Sequence, residues 1–357
     1  MSAPKIGFVL LSNSRNPIPS TRISVLNVIP ALKEAGFNVE IVFNPDKASE
    51  TPDIDGLIDN IKNQSFDFIY FQKVHGPSVE SVARLLSALG IITIYGVCDI
   101  IDPGMVAVTN ATIVVTEYLR TLYPTEMQHK IHVVHDGIES PDIYKSFSNI
   151  LPCDNGSRLR AVLVTSTDLE CVPVIGFPPK WLDLDIVGRY PPNNNYRYRF
   201  REARWKFFGS NGMRAKIEYL RFLLDPRIRR QAWDPVDVYQ YMKMADIGII
   251  PIDATPLHEL GGPVPSWKVK SENRLTMMMS MGLPVVATPI PAYEAVIQHG
   301  INGFLARTRA EFLECLEALR DPALRRMVGS KARDSVLMRY SVKEQAQKLI
   351  NILNSLK

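Results

Sequence analysis

The chain has 357 residues, 46% hydrophobic and 22% charged, which is ordinary globular composition at a length that calls for two domains. A formal net charge of +4 is too small to imply a nucleic-acid partner by itself. Cys98, Cys153, Cys171 and Cys315 form no CxxC pair and have no histidines at zinc spacing, which excludes a disulfide frame or zinc module. With neither an apolar run of membrane-spanning length nor a signal peptide before the first strand, the expected location is the cytoplasm.

In chain order, Lys5–Leu11 reads as a buried strand, and Thr21–Ala35 has helical spacing at Ile23, Leu26, Ile29 and Leu32. Asn38–Phe43, Phe66–Phe71, Ile91–Tyr95, Ala111–Val115 and Ile131–Val134 follow as strands separated by helix or loop. Such alternation predicts a doubly wound α/β domain, a parallel sheet covered on both faces, with ligands outside the carboxyl ends of its strands. A polar linker at Ser140–Ser157 marks a domain boundary. Leu159–Val164, Leu182–Val187, Asp246–Ile250 and Pro284–Ala287 then build a second sheet, and the closing helices run from Arg309 to Lys357. The domains are accordingly expected at 1–150 and 151–340, with a terminal helix over 341–357.

Two segments invite a chemical reading. Asp183 and Asp185 mimic a metal-binding DxD pair, but they alternate with Leu182, Leu184 and Ile186 as strand residues do. They are expected to face the surface, and no metal site is expected there. Between Arg189 and Arg230 stand twelve cations against Glu202, Glu218 and Asp225, interleaved with tyrosines, phenylalanines and Trp205. That pattern suits single-stranded nucleic acid, an anionic membrane surface, or a solvated face over packed aromatics.

The stretch from Trp267 to Pro289 is the most informative. Ser271 suits an N-cap, although Arg274 stands where a capping box would place Glu or Gln. Lys270 and Arg274, four apart, share one face if the first helical turn extends that far. Free N–H groups, the positive helix end and two cations then converge on a site for a phosphate or diphosphate. The alternative is a pair of cations solvating an exposed helix end. Gly282-Leu283-Pro284 stops the helix, and Val285-Val286-Ala287 reads as a buried strand.

From Lys270 to Leu305 the chain resembles the donor-binding segment of GT-B glycosyltransferases, in particular the large retaining, metal-independent group (group 1, family 4-like). Asn273, Arg274, Gly282, Pro284, Val285, Val286, Glu294, Asn302 and Gly303 match in order and spacing. Met277 departs from the pattern. It stands where the group carries a glutamate for the donor ribose, and a thioether cannot replace a carboxylate as acceptor.

The resemblance implies two Rossmann-like domains facing a central cleft, with the last helix, which contains Ile350 and Leu353, crossing back to the N-terminal domain. It implies donor binding by Lys270, Ser271, Asn273, Arg274 and Glu294, with Arg189 reaching the phosphates. Ser12, Asn13, Thr21 and Arg22 correspond to the acceptor- and phosphate-facing first loop, here without the group's paired glycines. His75 matches a histidine beside the anomeric carbon, and Lys73 faces the diphosphate. Asp99 and Asp102 suit acceptor hydroxyls, Asp99 also a helix cap; Glu117 is a weaker candidate.

The implied activity is transfer of a sugar from a nucleotide-diphosphate sugar to a glycan or lipid-linked acceptor, as in polysaccharide biosynthesis. No cofactor or metal is expected, and the nucleotide sugar is substrate. Peripheral contact with the cytoplasmic face of a membrane is admitted; nucleic acid is not expected. A catalytically silent member of the fold, a binding protein acting through the basic 189–230 segment and, more distantly, an epimerase stay open.

Overall fold

The computed structural model describes residues 3–145, 158–165, 178–188, 200, 204, 207–208, 212–252, 254 and 264–357. It divides into two compact units. Unit 1 comprises Met1–Glu139, Leu257–Asn273 and Leu337–Lys357; unit 2 comprises Ser140–Pro256 and Arg274–Val336. The first cut falls where the polar linker begins. Unit 1 also takes in residues 257–273, a return that a linear division at residue 150 does not contain.

Unit 1 holds strands β1 (Lys5–Val9), β2 (Asn38–Phe43), β3 (Phe68–Gln72), β4 (Ile92–Val97), β5 (Ala111–Val114) and β6 (Ile131–Val133), in the order β2-β1-β3-β4-β5-β6. Every pairing is parallel. Alternate residues feed opposite faces. Ile6, Phe8 and Leu10 join one core with Phe68, Tyr70 and Ile94, while Val9 and Leu11 join the other with Ile69, Phe71 and Tyr95.

The helices of unit 1 are α1 (Pro19–Thr21), α2 (Ile29–Glu34), α3 (Leu57–Ile61), α4 (Pro77–Ala88), α5 (Pro103–Val108) and α6 (Glu117–Thr121). The expected continuous helix over 21–35 is instead α1, a π-helical turn over Arg22–Leu26, and α2. Pro30 supplies no N–H and crowds the carbonyl four residues back, so the ladder cannot run through. At Gly96 a Cβ would run into the ring and hydroxyl of buried Tyr70, so only glycine fits.

Unit 2 holds β7 (Leu159–Val164), β8 (Leu182–Gly188), β9 (Ile228–Ala232), β10 (Ile247–Ile250), β11 (Val285–Ala287) and β12 (Phe304–Leu305), in the order β12-β11-β10-β7-β8-β9, again parallel. Its helices are α7 (Met213–Leu224), α8 (Asp237–Met244), α9 (Asn273–Ser280, beginning on the last residue of unit 1), α10 (Pro291–Glu294), α11 (Arg309–Ala318) and α12 (Pro322–Leu337). The final helix, α13 (Val342–Ser355), belongs to unit 1, where Ala346, Leu349, Ile350 and Leu353 close the core over Phe8, Tyr70 and Ile113.

Two expectations in unit 2 need correction. β9 is a strand within what reads as a basic segment; its sequence, Ile-Arg-Arg-Gln-Ala, is polar because it forms the sheet edge. Asp185 does not face the surface. It is buried and holds Arg229, its register partner on β9, through two hydrogen bonds of 2.6 and 2.9 Å. Truncating Arg229 to alanine leaves that carboxylate buried without its partner. The cost should be about 2 kcal/mol in a denaturant titration, below the range for fully buried pairs because Arg229 is partly exposed. Arg229→Ala/Asp185→Leu should recover most of it.

Candidate active site

In unit 1 the strand order reverses between β1 and β3, and ligands of such sheets lie outside the carboxyl ends at that point. Gln72, the last residue of β3, is buried there. Its amide oxygen accepts from Leu11 N at 3.1 Å and from Thr21 Oγ1 at 2.9 Å, and Thr21 accepts from Ser12 Oγ at 2.8 Å. Ser12 and Thr21 are buried too, so they lock the loop after β1. Asn13 donates to Pro45 O at 3.1 Å. Arg22 grips Glu139 through Nε and Nη2 at 2.7 and 2.9 Å, and Asn27 adds a third bond to the same carboxylate. Of these four first-loop candidates, three thus tie unit 1 together, and Asn13 anchors the loop to Pro45.

The next residues form a charged cluster. Lys73 has a left-handed backbone, φ 56°, and its ammonium lies 2.9 Å from both Glu50 and Asp99. Burial works against that charge, but Cys98, Asp99 and Glu50 outweigh it and hold the Lys73 pKa above the ordinary value. The Cys98 thiol donates to Asp99 at 3.3 Å and, buried beside that carboxylate, is pushed well above the usual thiol range. His75 Nδ1 lies 3.3 Å from Asp102, whose other oxygen caps α5 by accepting from Met105 N at 3.0 Å. The cap role thus falls to Asp102 rather than Asp99. Glu117 opens α6 and lies 3.6 Å from Arg120.

Beside this cluster, the chain after β6 and the returning 257–273 segment bring together groups that the sequence reading does not single out. His135 Nδ1 is 2.8 Å from Val115 O and 2.7 Å from Glu272 Oε1. The ring N–H aligns with the carbonyl, and neither oxygen of the buried Glu272 carboxylate has a hydrogen bond. Asp136 is buried next to it. Burial first, then the Glu272 charge, raise its pKa to about 7, against a hydrogen bond from Ser271 and the nearby His135. A narrow cavity of about 30 Å³, room for water, is lined by Gln72, Lys73, Cys98, His135 and Asp136 among others.

The helix expected to begin at Ser271 begins at Asn273, and the Ser271 hydroxyl turns to Asp136 instead. Lys270 therefore precedes the helix, and the expected i, i+4 face with Arg274 is not formed. In unit 2, Glu294 ends α10 and pairs with Arg307 at 3.2 Å, both exposed. Asn302 is buried and holds its turn by accepting from Gln298 N at 2.7 Å and donating to Val296 O at 3.1 Å. Arg189 lies outside the described residues, as do most of the loops following β7, β8 and β10. No group of three or more metal-ligating side chains occurs among the described residues.

Residues 194–321 match the family model for glycosyl transferases group 1, a span that includes the Lys270–Leu305 motif. The whole chain superposes on GT-B enzymes. HepE of Anabaena, solved with UDP-glucose, is 16% identical at TM-score 0.67, covering 98% of this chain and 99% of that one. A glycosyltransferase of Rickettsia africae is 15% identical at 0.69, covering 100% and 99%. Sucrose-phosphate synthase of Thermosynechococcus elongatus is 13% identical at 0.69, covering 99% of each. Residues 194–321 are thus similar to group 1 glycosyl transferases, and the chain as a whole has the GT-B fold of these structures. No curated protein sequence matches it.

The unit 1 cluster joins Lys73, His75 and Asp99 from the expected set to Gln72, Asp136 and Glu272. The only sequence signal for Gln72 was a polar residue ending an apolar strand. Asp136 and Glu272 gave none, since each acquires meaning only from the other.

The raised pKa of Asp136 fixes a sign. Between about pH 4 and pH 7 the unfolded chain releases this proton while the folded chain keeps it, so the group's contribution to stability falls as pH rises through that window. Asp136→Asn removes the effect. The melting temperature of the variant relative to wild type should climb from pH 5 to pH 7.5, read by circular dichroism.

Proposed function

We propose that this glycosyltransferase moves a sugar from a nucleotide-diphosphate donor to a glycan or lipid-linked acceptor, with retention of configuration and without a metal. The group 1 match over the donor-segment motif carries this reading. In the proposed reaction the bond from the anomeric carbon to the diphosphate breaks, the acceptor oxygen bonds to that carbon, and the acceptor hydroxyl passes its proton to the leaving diphosphate oxygen. Negative charge then builds on the leaving diphosphate. Lys270 and Arg274, with the N–H groups opening α9, are the proposed partners for it, with Arg189 as a further contributor. Fixed cations of this kind supply what a divalent ion supplies elsewhere.

Glu294 is assigned the donor sugar hydroxyls, for which it would exchange Arg307. His75, steadied by Asp102, is assigned the sugar beside the anomeric carbon, and Lys73 the phosphate side. Asp99, already bound to Lys73, is assigned acceptor hydroxyls. Met277 gives the ribose no carboxylate, so affinity for the nucleotide rests on phosphate and base. A uridine nucleotide is the first donor to try, since HepE was solved with UDP-glucose.

Thermal shift with UDP, GDP, ADP, dTDP and CMP, in metal-free buffer, tests the reading. One nucleotide should stabilise wild type, by about 2.7 kcal/mol at a hundredfold excess over its dissociation constant. Arg274→Ala should abolish the shift. A flat response to all five would overturn the donor assignment and favour the catalytically silent alternative that Met277 suggests.

A further inference from the structure

The chain that returns to unit 1 just before α9 is seated there through two carboxyl groups. Residues 264–272 place Val264 and Val269 against the core that holds Phe71, Tyr95 and Val97. They end on Ser271 and Glu272, beside the chain that follows β6. Glu272 is 2% exposed, and neither of its carboxylate oxygens accepts a hydrogen bond. His135 Nδ1 stands 2.7 Å from Oε1, but it also lies 2.8 Å from Val115 O, and a carbonyl can only accept. The ring hydrogen is therefore spent on Val115. Asp136 is 8% exposed and accepts from the Ser271 hydroxyl. One carboxyl from the returning segment and one from the β6 exit thus stand close together, away from water.

The neighbouring groups do not offset two negative charges. Asp99 adds a further one facing Asp136. The Lys73 ammonium lines the same cavity but is engaged by Glu50 and Asp99. The Cys98 thiol is neutral beside Asp99. Tyr340, whose ring packs on His135 at 4.9 Å, meets Glu272 as a neutral phenol, its pKa pushed up to about 12. Gln345 contributes an amide that accepts from His135 N. Lys270 precedes Glu272 on the segment and is itself engaged. His135 supplies positive charge only by taking a second proton. Two like charges buried this way do not persist together, so the seated segment keeps a proton in the group. Burial places it on Asp136.

We infer that Asp136 and Glu272 form a one-proton latch, which holds residues 264–272 on unit 1 while the pair keeps a proton and releases them locally when it is lost. The sign follows from linkage. On release Asp136 returns to an ordinary carboxylate, whereas in the seated state its pKa is about 7. Seating is therefore strongest in acid, weakens between about pH 4 and pH 7, and levels off above that. Glu272 is followed directly by Asn273, which opens α9. Release leaves Lys270, Ser271 and Asn273 without a fixed approach to that helix. A donor diphosphate held by them binds more tightly as the pH falls. That consequence rests on the proposed donor site; the latch itself does not.

The test is amide hydrogen exchange of the full chain without ligand, read by mass spectrometry over residues 264–272 and corrected for the intrinsic rate at each pH. Protection of this segment in wild type should fall at least about tenfold from pH 5 to pH 7.5 and change little above pH 8. Asp136→Asn keeps an oxygen for Ser271 but carries no charge, so its protection should be flat across that range. Glu272→Gln should make the slope shallower, because an ionised Asp136 then meets no opposing carboxylate. Flat protection in wild type would overturn the latch. So would an unchanged slope in both variants, the outcome of a merely structural contact. A parallel loss in β4 would also overturn it, since the opening would then be global. The donor arm compares the UDP-induced thermal shift at pH 6.5 and pH 8, expected to be larger at pH 6.5 in wild type and less pH-dependent in Asp136→Asn. No shift at either pH, alongside pH-dependent exchange, would sink the proposed donor site and leave the latch standing.

Discussion

A parallel sheet buried on both faces has one place for polar chemistry, the ends of its strands. Unit 1 obeys this closely. Its strands are lined by Ile, Phe, Val and Leu on each side, and the first polar side chain that β3 presents is Gln72, at its carboxyl end. From that point outward the chain carries Lys73, His75, Cys98, Asp99, Asp102, His135 and Asp136, residues up to 63 apart in sequence but gathered by the spacing of neighbouring strands. The cluster is therefore a product of topology. The loops need contribute only the right residue types just past each strand.

That logic also explains what was readable in advance. Strands with unbroken apolar runs, such as Lys5–Val9 and Val285–Ala287, announce themselves, and their alternation with helices fixes a doubly wound fold. β9 escaped because an edge strand pairs on one side only and tolerates Arg229 and Arg230, which read as part of a basic surface. Asp185 escaped because its burial depends on an arginine 44 residues away. Among the site residues, Lys73, His75 and Asp99 were visible as polar residues in loops after strands. Their partners were not. Arg22 meets Glu139 across 117 residues, and nothing local to either forecasts the other.

The group 1 segment raises a different tension. Its order and spacing survive, while the carboxylate expected to hold the ribose is Met277. In the proposed reading one fixed contact is missing, and the phosphate contacts that any nucleotide diphosphate offers carry more of the binding.

The allocation of α13 to unit 1 bears on how the chain is made. The helix supplies Ala346, Leu349, Ile350 and Leu353 to one of the two cores of the first sheet, and its start is pinned where Ile138 bridges Ser341 and where Gln345 accepts from His135 N. A ribosome delivers these residues after the whole of unit 2. Until then β1, β3, β4 and β5 have an apolar face with a missing cover, and a nascent chain waits in that state while unit 2 is made, a matter of tens of seconds at ordinary elongation rates. Unit 2 has no such wait beyond α12. Unit 1 is thus completed only after unit 2 has been made, and its uncovered face is where a chaperone would have to act.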